Sequence, residues 1–289
     1  MRRQDIFLSL LYCIGFSGIR NFASRLEKRP VARILVLHDI PNSAVGAFEA
    51  NMSFLKQRTN VVSLQDYLTG KLSSSRVNVV ITFDDGYRSW VTSVLPVLTR
   101  LGLPATFFVS SGFVGLSAVD QQMFARARLC LSQKKSSEVE GLSEQDLRQL
   151  SQAGFTIGGH TKTHANLARI DDIDVIMREV VEDKFRLEQL VGVPIQYFAY
   201  PYGSFRNAKH FLPTILATAG YEAAATTLPG FNASGSEPYL LKRELITAEM
   251  TELVFRARVY GNADGAQFLR HRLMRSLRWL WPEAVDKMA

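Results

Sequence analysis

The chain has 289 residues, of which 47% are hydrophobic and 21% are charged, a balance typical of a folded globular protein rather than a disordered one. Its net charge of +7 comes from the two ends, because residues 1–33 carry seven cations against two acids and residues 254–289 carry seven against three. The middle is slightly acidic, so we expect no nucleic-acid-binding surface there.

Both ends of the chain combine arginines with apolar residues. Residues 6–19 form an apolar run after two arginines, but the run is shorter than the about 20 residues that span a bilayer. No small-residue cleavage site follows it. Near the other end, apolar residues recur at helical spacing between arginines: Phe268, Leu269, Leu273, Met274, Leu277, Leu280 and Trp281.

Such basic amphipathic helices favour an anionic membrane surface, although a terminal helix packed on the domain would show the same pattern. We therefore divide the chain into a basic N-terminal segment (1–31), a central domain (32–250) and a basic amphipathic C-terminal segment (251–289). The expected location is peripheral to a membrane. The absence of an export signal favours its cytoplasmic face, and an uncleaved anchor with a periplasmic domain is the alternative.

Short apolar runs alternate with helical patterns along the central domain. Strands are predicted over residues 34–38, 77–83, 105–110, 155–159, 195–200, 221–226 and 239–247, and helices over 44–58, 87–101, 143–153, 171–191 and 208–219. Strand–helix alternation indicates a mostly parallel α/β sheet with helices outside. About seven such units favour a closed or nearly closed barrel, in which function lies at the carboxyl ends of the strands.

Reactive side chains follow two of the predicted strands. Asp84 and Asp85 end the strand over 77–83, although Asp-Asp-Gly alone is also a common turn. His160 and His164 follow the strand over 155–159, and their H-x3-H spacing on a helical turn suits a divalent metal.

Two further strand ends carry weaker patterns. The turn Pro201-Tyr202-Gly203 can aim a backbone N–H into a pocket, although taken alone it reads as an ordinary turn. His38 ends the first strand, where a histidine is more often a structural residue. Because all four features lie at predicted strand ends, together they indicate one functional site.

In order and spacing, residues 82–87, 160–164 and 198–203 resemble the three motifs of the polysaccharide deacetylase family, also called the NodB-homology domain or carbohydrate esterase family 4. The resemblance covers about residues 32–248. It implies a distorted (β/α)7 TIM-like barrel and metal-dependent hydrolysis of N-acetyl groups on amino sugars. Leu37-His38-Asp39 resembles the exopolysaccharide-type members, which place a catalytic histidine on the first strand.

Carried over by position, the resemblance implies that Asp84 is the general base and that Asp85, His160 and His164 bind the metal. Two imidazoles and one carboxylate suit Zn²⁺, with Co²⁺, Ni²⁺ or Fe²⁺ as alternatives. The backbone N–H of Tyr202 is the implied oxyanion donor. His38 is the implied general acid, because the late Leu-x-His of many members is missing.

The chain departs from the family pattern at two positions. Ala199 stands where many members have an arginine that orients the base, and Arg243 is the candidate replacement; an exposed, salt-bridging arginine is the alternative. Gly159 stands where a small polar residue is common, a change that we expect to alter little.

The expected function is removal of N-acetyl groups from a cell-envelope or exopolysaccharide glycan, or from its lipid-linked precursor. The alternative is a non-catalytic sugar-binding protein on the same scaffold. The expected partners are an amino-sugar glycan or glycolipid and an anionic membrane surface, with no nucleic acid.

Overall fold

The computed structural model describes residues 30–129, 131, 138–203 and 211–261. Residues 1–29 and the amphipathic pattern over 268–281 lie outside these residues, so what the sequence predicts for them stays a prediction. No helix in the described part of the chain is long and apolar enough to span a membrane.

The centre of the fold is a curled, mostly parallel sheet. Its strands are β1 (Val31–Leu37), β2 (Asn60–Val61), β3 (Asn78–Asp85), β4 (Thr106–Val109), β5 (Thr156–Gly159), β6 (Tyr197–Ala199), β7 (Ala223–Ala225), β8 (Asn232–Ala233) and β9 (Arg243–Leu245). Parallel pairing runs in the order β7, β6, β5, β4, β3, β1, β9. A parallel bridge between Ala225 and Leu241 joins β7 to the segment before β9. The described sheet is therefore a nearly closed ring of seven parallel strands.

Helices cover the outside of this sheet. They are α1 (Val45–Arg58), α2 (Leu64–Leu68), α3 (Leu95–Leu101), α4 (Ala118–Ala127), α5 (Glu144–Gln152), α6 (Ile173–Val191), α7 (Leu212–Thr218) and α8 (Glu252–Val259). A π-helical segment, Trp90–Val94, precedes α3. Ser143 and Asp146 form a capping box at the start of α5, and Gly192 ends α6 with a φ of 73°.

Side chains of the parallel strands alternate between two apolar clusters. Leu35, Ile81 and Phe107 belong to the larger cluster, which packs against the helices. Ile34, Val80, Phe108 and Ala199 belong to the smaller cluster inside the curled sheet. Such period-two alternation with both faces buried explains why these strands read as continuous apolar runs.

The last described helix, α8, packs against α1, where the rings of Phe54 and Phe255 meet edge to face with centroids 6.2 Å apart. Glu244 of β9 joins this contact to the sheet, because its carboxylate accepts hydrogen bonds of 2.6 Å from both Arg33 and Arg258. The boundary drawn at residue 250 thus falls between β9 and α8, and residues 252–261 pack with the barrel.

Candidate active site

The chain turns sharply where β3 ends. Asp84 and Asp85 are the last residues of β3, and both carboxylates are almost fully buried. Asp85 has a φ of 93° and Gly86 a φ of 120°, a left-handed conformation that a residue with a side chain adopts only under constraint. Non-glycine residues held in this region cluster at functional sites, which agrees with the prediction from the sequence.

The loop after β5 carries His160 and His164. The sequence predicted a helical turn here, but the structure has an irregular loop in which Thr161 and His164 adopt φ values of 61° and 53°. The hydroxyl of Thr161 accepts a hydrogen bond of 2.8 Å from the backbone N–H of Ala165, which closes the loop. Both imidazoles nevertheless face Asp85, as the family resemblance implies.

Asp85, His160 and His164 offer three ligand atoms that lie within 4.8 Å of one another. The Asp85 Oδ1 atom is 3.4 Å from Nε2 of His160 and 3.2 Å from Nε2 of His164. Ligand atoms about 2.0–2.2 Å from a tetrahedral zinc ion lie about 3.3–3.6 Å apart, so the two distances from Asp85 are close to those around such an ion.

The second nitrogen of each imidazole is held by a backbone carbonyl. Nδ1 of His160 lies 2.7 Å from the carbonyl oxygen of Ala199, and Nδ1 of His164 lies 2.8 Å from that of Arg128. Because a carbonyl oxygen only accepts, each Nδ1 must carry the proton, which leaves Nε2 as a lone-pair donor.

Arg243 lies directly beneath Asp84. Its guanidinium is fully buried and donates two hydrogen bonds to the Asp84 carboxylate, of 2.7 Å and 2.6 Å, and a third, of 2.8 Å, to the carbonyl of Thr226. The exposed, salt-bridging alternative does not describe this side chain. Burial would raise the pKa of Asp84, but the charge and hydrogen bonds of Arg243, with smaller contributions from neighbouring groups, together outweigh burial, so the pKa lies below its usual range.

His38 and Tyr202 flank this pair of carboxylates. His38 follows β1, which pairs with β3, and its charge contributes to lowering the pKa values of both Asp84 and Asp85. Tyr202 has a φ of 61°, and its ring packs edge on against His164 with centroids 4.8 Å apart. Six of the seven residues selected from the sequence therefore lie at the carboxyl ends of the strands, and the side chain of Arg243 reaches them from the start of β9.

Two acidic residues of α6 that the sequence did not single out also reach the site. Asp183 is fully buried, and its carboxylate accepts backbone hydrogen bonds from His160 (2.9 Å) and Ser111 (2.8 Å). Burial raises the pKa of Asp183 to about 7. Glu179 accepts hydrogen bonds from both the backbone and the hydroxyl of Thr163.

Gly159 lies close to two side chains of the site. A Cβ atom at this position would lie 2.3 Å from the hydroxyl oxygen of Tyr221 and 2.9 Å from Oδ2 of Asp183. A larger residue here would therefore have to displace one or both of these side chains.

Comparisons with known proteins agree with this geometry. Residues 71–224, more than half of the chain, match the family model for polysaccharide deacetylases. YxkH of Bacillus subtilis (strain 168), a protein named for the same family, is 24% identical over an alignment of 244 positions that covers 81% of this chain and 77% of that protein.

Two solved structures share the fold. IcaB from Ammonifex degensii has a TM-score of 0.63 and 22% identity, over 80% of this chain and 97% of its own. The Streptococcus pyogenes deacetylase PplD, solved in complex with acetate, has a TM-score of 0.62 and 19% identity, over 80% of this chain and 99% of its own. They confirm the distorted (β/α)7 barrel, and the family match shows that this chain belongs to the polysaccharide deacetylase family.

Proposed function

We propose that the protein is a metal-dependent hydrolase that removes N-acetyl groups from an amino-sugar glycan of the cell envelope or an exopolysaccharide, releasing acetate. The observation that carries this proposal is the different environment of two adjacent carboxylates. Arg243 donates a hydrogen bond to each oxygen of the Asp84 carboxylate, whereas Asp85 faces the lone pairs of two imidazoles. One carboxylate is thus placed to move a proton and the other to bind a cation.

Zn²⁺ is the metal that we propose for Asp85, His160 and His164, since two nitrogen ligands and one oxygen ligand suit it. A divalent metal at such a site lowers the pKa of bound water and polarises the carbonyl of the substrate. Co²⁺, Ni²⁺ and Fe²⁺ remain alternatives because the same ligands accept them.

Three residues around the metal site carry out the proton transfers and stabilise the developing charge. Asp84, kept ionised by Arg243, accepts the proton of the attacking water. The backbone N–H of Tyr202 stabilises the negative charge that develops on the acetyl oxygen, a contribution worth about 3–4 kcal/mol for one such donor. His38 then protonates the departing sugar nitrogen, so that acetate and a free amine result.

Acetate release across a panel of substrates tests this proposal. The panel contains oligomers of N-acetylglucosamine, oligomers of N-acetylgalactosamine and lipid-linked amino sugars, with metal-depleted protein as the blank. We expect acetate from at least one of them, lost on metal removal and restored by Zn²⁺. Oligomer binding by the metal-loaded protein without any acetate release would instead support the non-catalytic sugar-binding alternative.

We further propose that the protein works at an anionic membrane surface, where its substrate would be a lipid-linked precursor. The support is the sequence of the two basic, apolar ends. Sedimentation with anionic vesicles tests this, with a variant lacking residues 266–289 as the comparison. Binding to neutral vesicles of the same size should be weaker, and binding unaffected by truncation would exclude the C-terminal segment as the anchor.

A further inference from the structure

Two carboxylates of α6 face the loop that carries the proposed metal ligands. Glu179 and Asp183 lie one helical turn apart, on the side of α6 that packs against β5 and the loop after it. Asp183 accepts the backbone N–H of His160, and Glu179 accepts the backbone N–H and the hydroxyl of Thr163. The helix therefore contacts the loop at its first residue and at its middle.

Asp183 is an unusual residue for its place in the helix. Its neighbours on the buried face of α6 are the apolar residues Ile176, Val180 and Leu187. Burying a carboxylate costs free energy unless hydrogen bonds compensate for lost water, and here the compensation comes from the backbone N–H groups of His160 and Ser111. An apolar side chain would avoid that cost but would leave these two buried N–H groups without their acceptor.

His160 is consequently held on three sides. Its N–H donates to Asp183, its carbonyl accepts a hydrogen bond of 3.0 Å from the hydroxyl of Ser110, and its ring donates to the carbonyl of Ala199. The next residue, Thr161, has a left-handed backbone, which persists only where the surroundings hold it. The carboxylate of Asp183 supplies one of those restraints and links the loops after β4 and β5.

Gly159 provides a second, independent observation. The Oδ2 atom of Asp183 lies 2.9 Å from the place that a Cβ atom would occupy at residue 159. The absence of a side chain there is what allows this carboxylate to approach the backbone of His160. The carboxylate of Asp183 thus occupies space that is free because Gly159 has no side chain.

We propose that Asp183, assisted by Glu179, is a positioning residue that sets the orientation of the metal ligand His160. This inference rests on the proposed metal site and concerns its geometry rather than the substrate. It predicts that Asp183 affects metal binding itself, beyond any effect on the stability of the fold.

The test measures metal binding by the full-length protein carrying Asp183→Asn. Asparagine has the same shape, but its amide can accept one backbone N–H and turns an NH₂ group towards the other. We expect the dissociation constants for Zn²⁺ and Co²⁺, measured by competition with a chelator, to rise by about 10–100-fold, as for other groups that orient metal ligands. The visible absorption spectrum of the Co²⁺ protein should change as well.

Two further variants make the test specific. Ile176→Val removes one buried methylene from the same helix and should leave the metal dissociation constants unchanged. Glu179→Ala removes the contacts to Thr163, which is not a ligand, and should weaken metal binding less than Asp183→Asn. If Asp183→Asn does not fold, unchanged metal binding by Glu179→Ala would overturn the proposal.

The remaining outcomes test the positioning role and the proposed function separately. Wild-type affinity and an unchanged Co²⁺ spectrum in Asp183→Asn overturn the positioning role, as does an equal loss of affinity in Ile176→Val. A wild-type protein that binds metal tightly but releases no acetate contradicts the proposed function and leaves the role of Asp183 intact. The two failures are therefore distinguishable.

Discussion

Replacing Arg243 with methionine leaves the buried Asp84 carboxylate without the two guanidinium hydrogen bonds that it accepts, of 2.7 Å and 2.6 Å. An arginine beside an aspartate lowers the pKa of the carboxyl by about 1–3 units, each worth about 1.4 kcal/mol. The pKa of Asp84 should therefore rise by about 1–3 units in the variant. A general base works only when ionised, so activity is lost as the pH falls through its pKa. The acidic limb of kcat/KM should consequently move to higher pH by the same amount.

The assay is the initial rate of acetate release across the acidic and neutral pH range, with the bound metal measured at each pH. Metal content has to be followed because protonation of His160 and His164 would also abolish activity by releasing the metal. Arg243→Lys keeps the charge but loses the paired geometry, so its acidic limb should lie between those of the wild type and Arg243→Met.

Arg33→Met is the matched control. Arg33 is as fully buried as Arg243 and also pairs with a carboxylate, that of Glu244, at 2.6 Å. Glu244 retains Arg258 as a partner, so this variant should lose stability without moving the acidic limb. If Arg243→Met shows the same acidic limb as the wild type at equal metal content, Arg243 does not tune the base.

Three other substitutions test separate parts of the site. His38→Ala should slow acetate release by about 10²–10⁴-fold because it removes the proposed general acid, and an unchanged rate would show that His38 does not act as that acid. Asp85→Ala should lose both bound metal and activity, since it removes one of three ligands; full metal content by elemental analysis would exclude it as a ligand. Gly159→Ala should lower the free energy of unfolding by about 1–3 kcal/mol in a denaturant titration, because its Cβ atom meets the Tyr221 hydroxyl. Gly46→Ala, with no atom within 4 Å of its Cβ, should not be destabilising; a similar loss there would remove the steric explanation.

The parts of the fold that the sequence predicted well have strong local signals. Continuous apolar runs such as residues 77–83 and 105–110 predicted the buried parallel strands to within a few residues. The reactive residues were found because the carboxyl ends of parallel strands meet at one edge, so that His38, Asp84 and His160 could be placed together before any contact was known.

Other features have no such signal. The helix α4 was not predicted; Ala125 is its only buried residue, and the larger apolar side chains Val119 and Met123 are exposed. The H-x3-H spacing predicted a helical turn at His160. The left-handed residues of this loop instead depend on hydrogen bonds to residues of α6, which follow it by 16 to 23 positions in the sequence. These long-range bonds decide the backbone conformation there.

Asp183 shows why part of the site could not be predicted. It lies in the stretch Glu182-Asp183-Lys184, which has the composition of a solvated helix surface. The Asp183 carboxylate is nevertheless fully buried, because the loops after β4 and β5 present two backbone N–H groups to it. Arg243, by contrast, could be selected only as a candidate, and its contact with Asp84 appears once the ring of strands brings β9 beside β1.

The central claim is that Asp84 acts on water while Asp85, His160 and His164 bind the metal. Parallel measurement of bound zinc and of acetate release in Asp84→Asn tests it most directly. The account predicts zinc bound in the same amount as in the wild type, with acetate release abolished. Retained turnover with zinc bound, or loss of zinc in Asp84→Asn with full retention in Asp85→Ala, would contradict it.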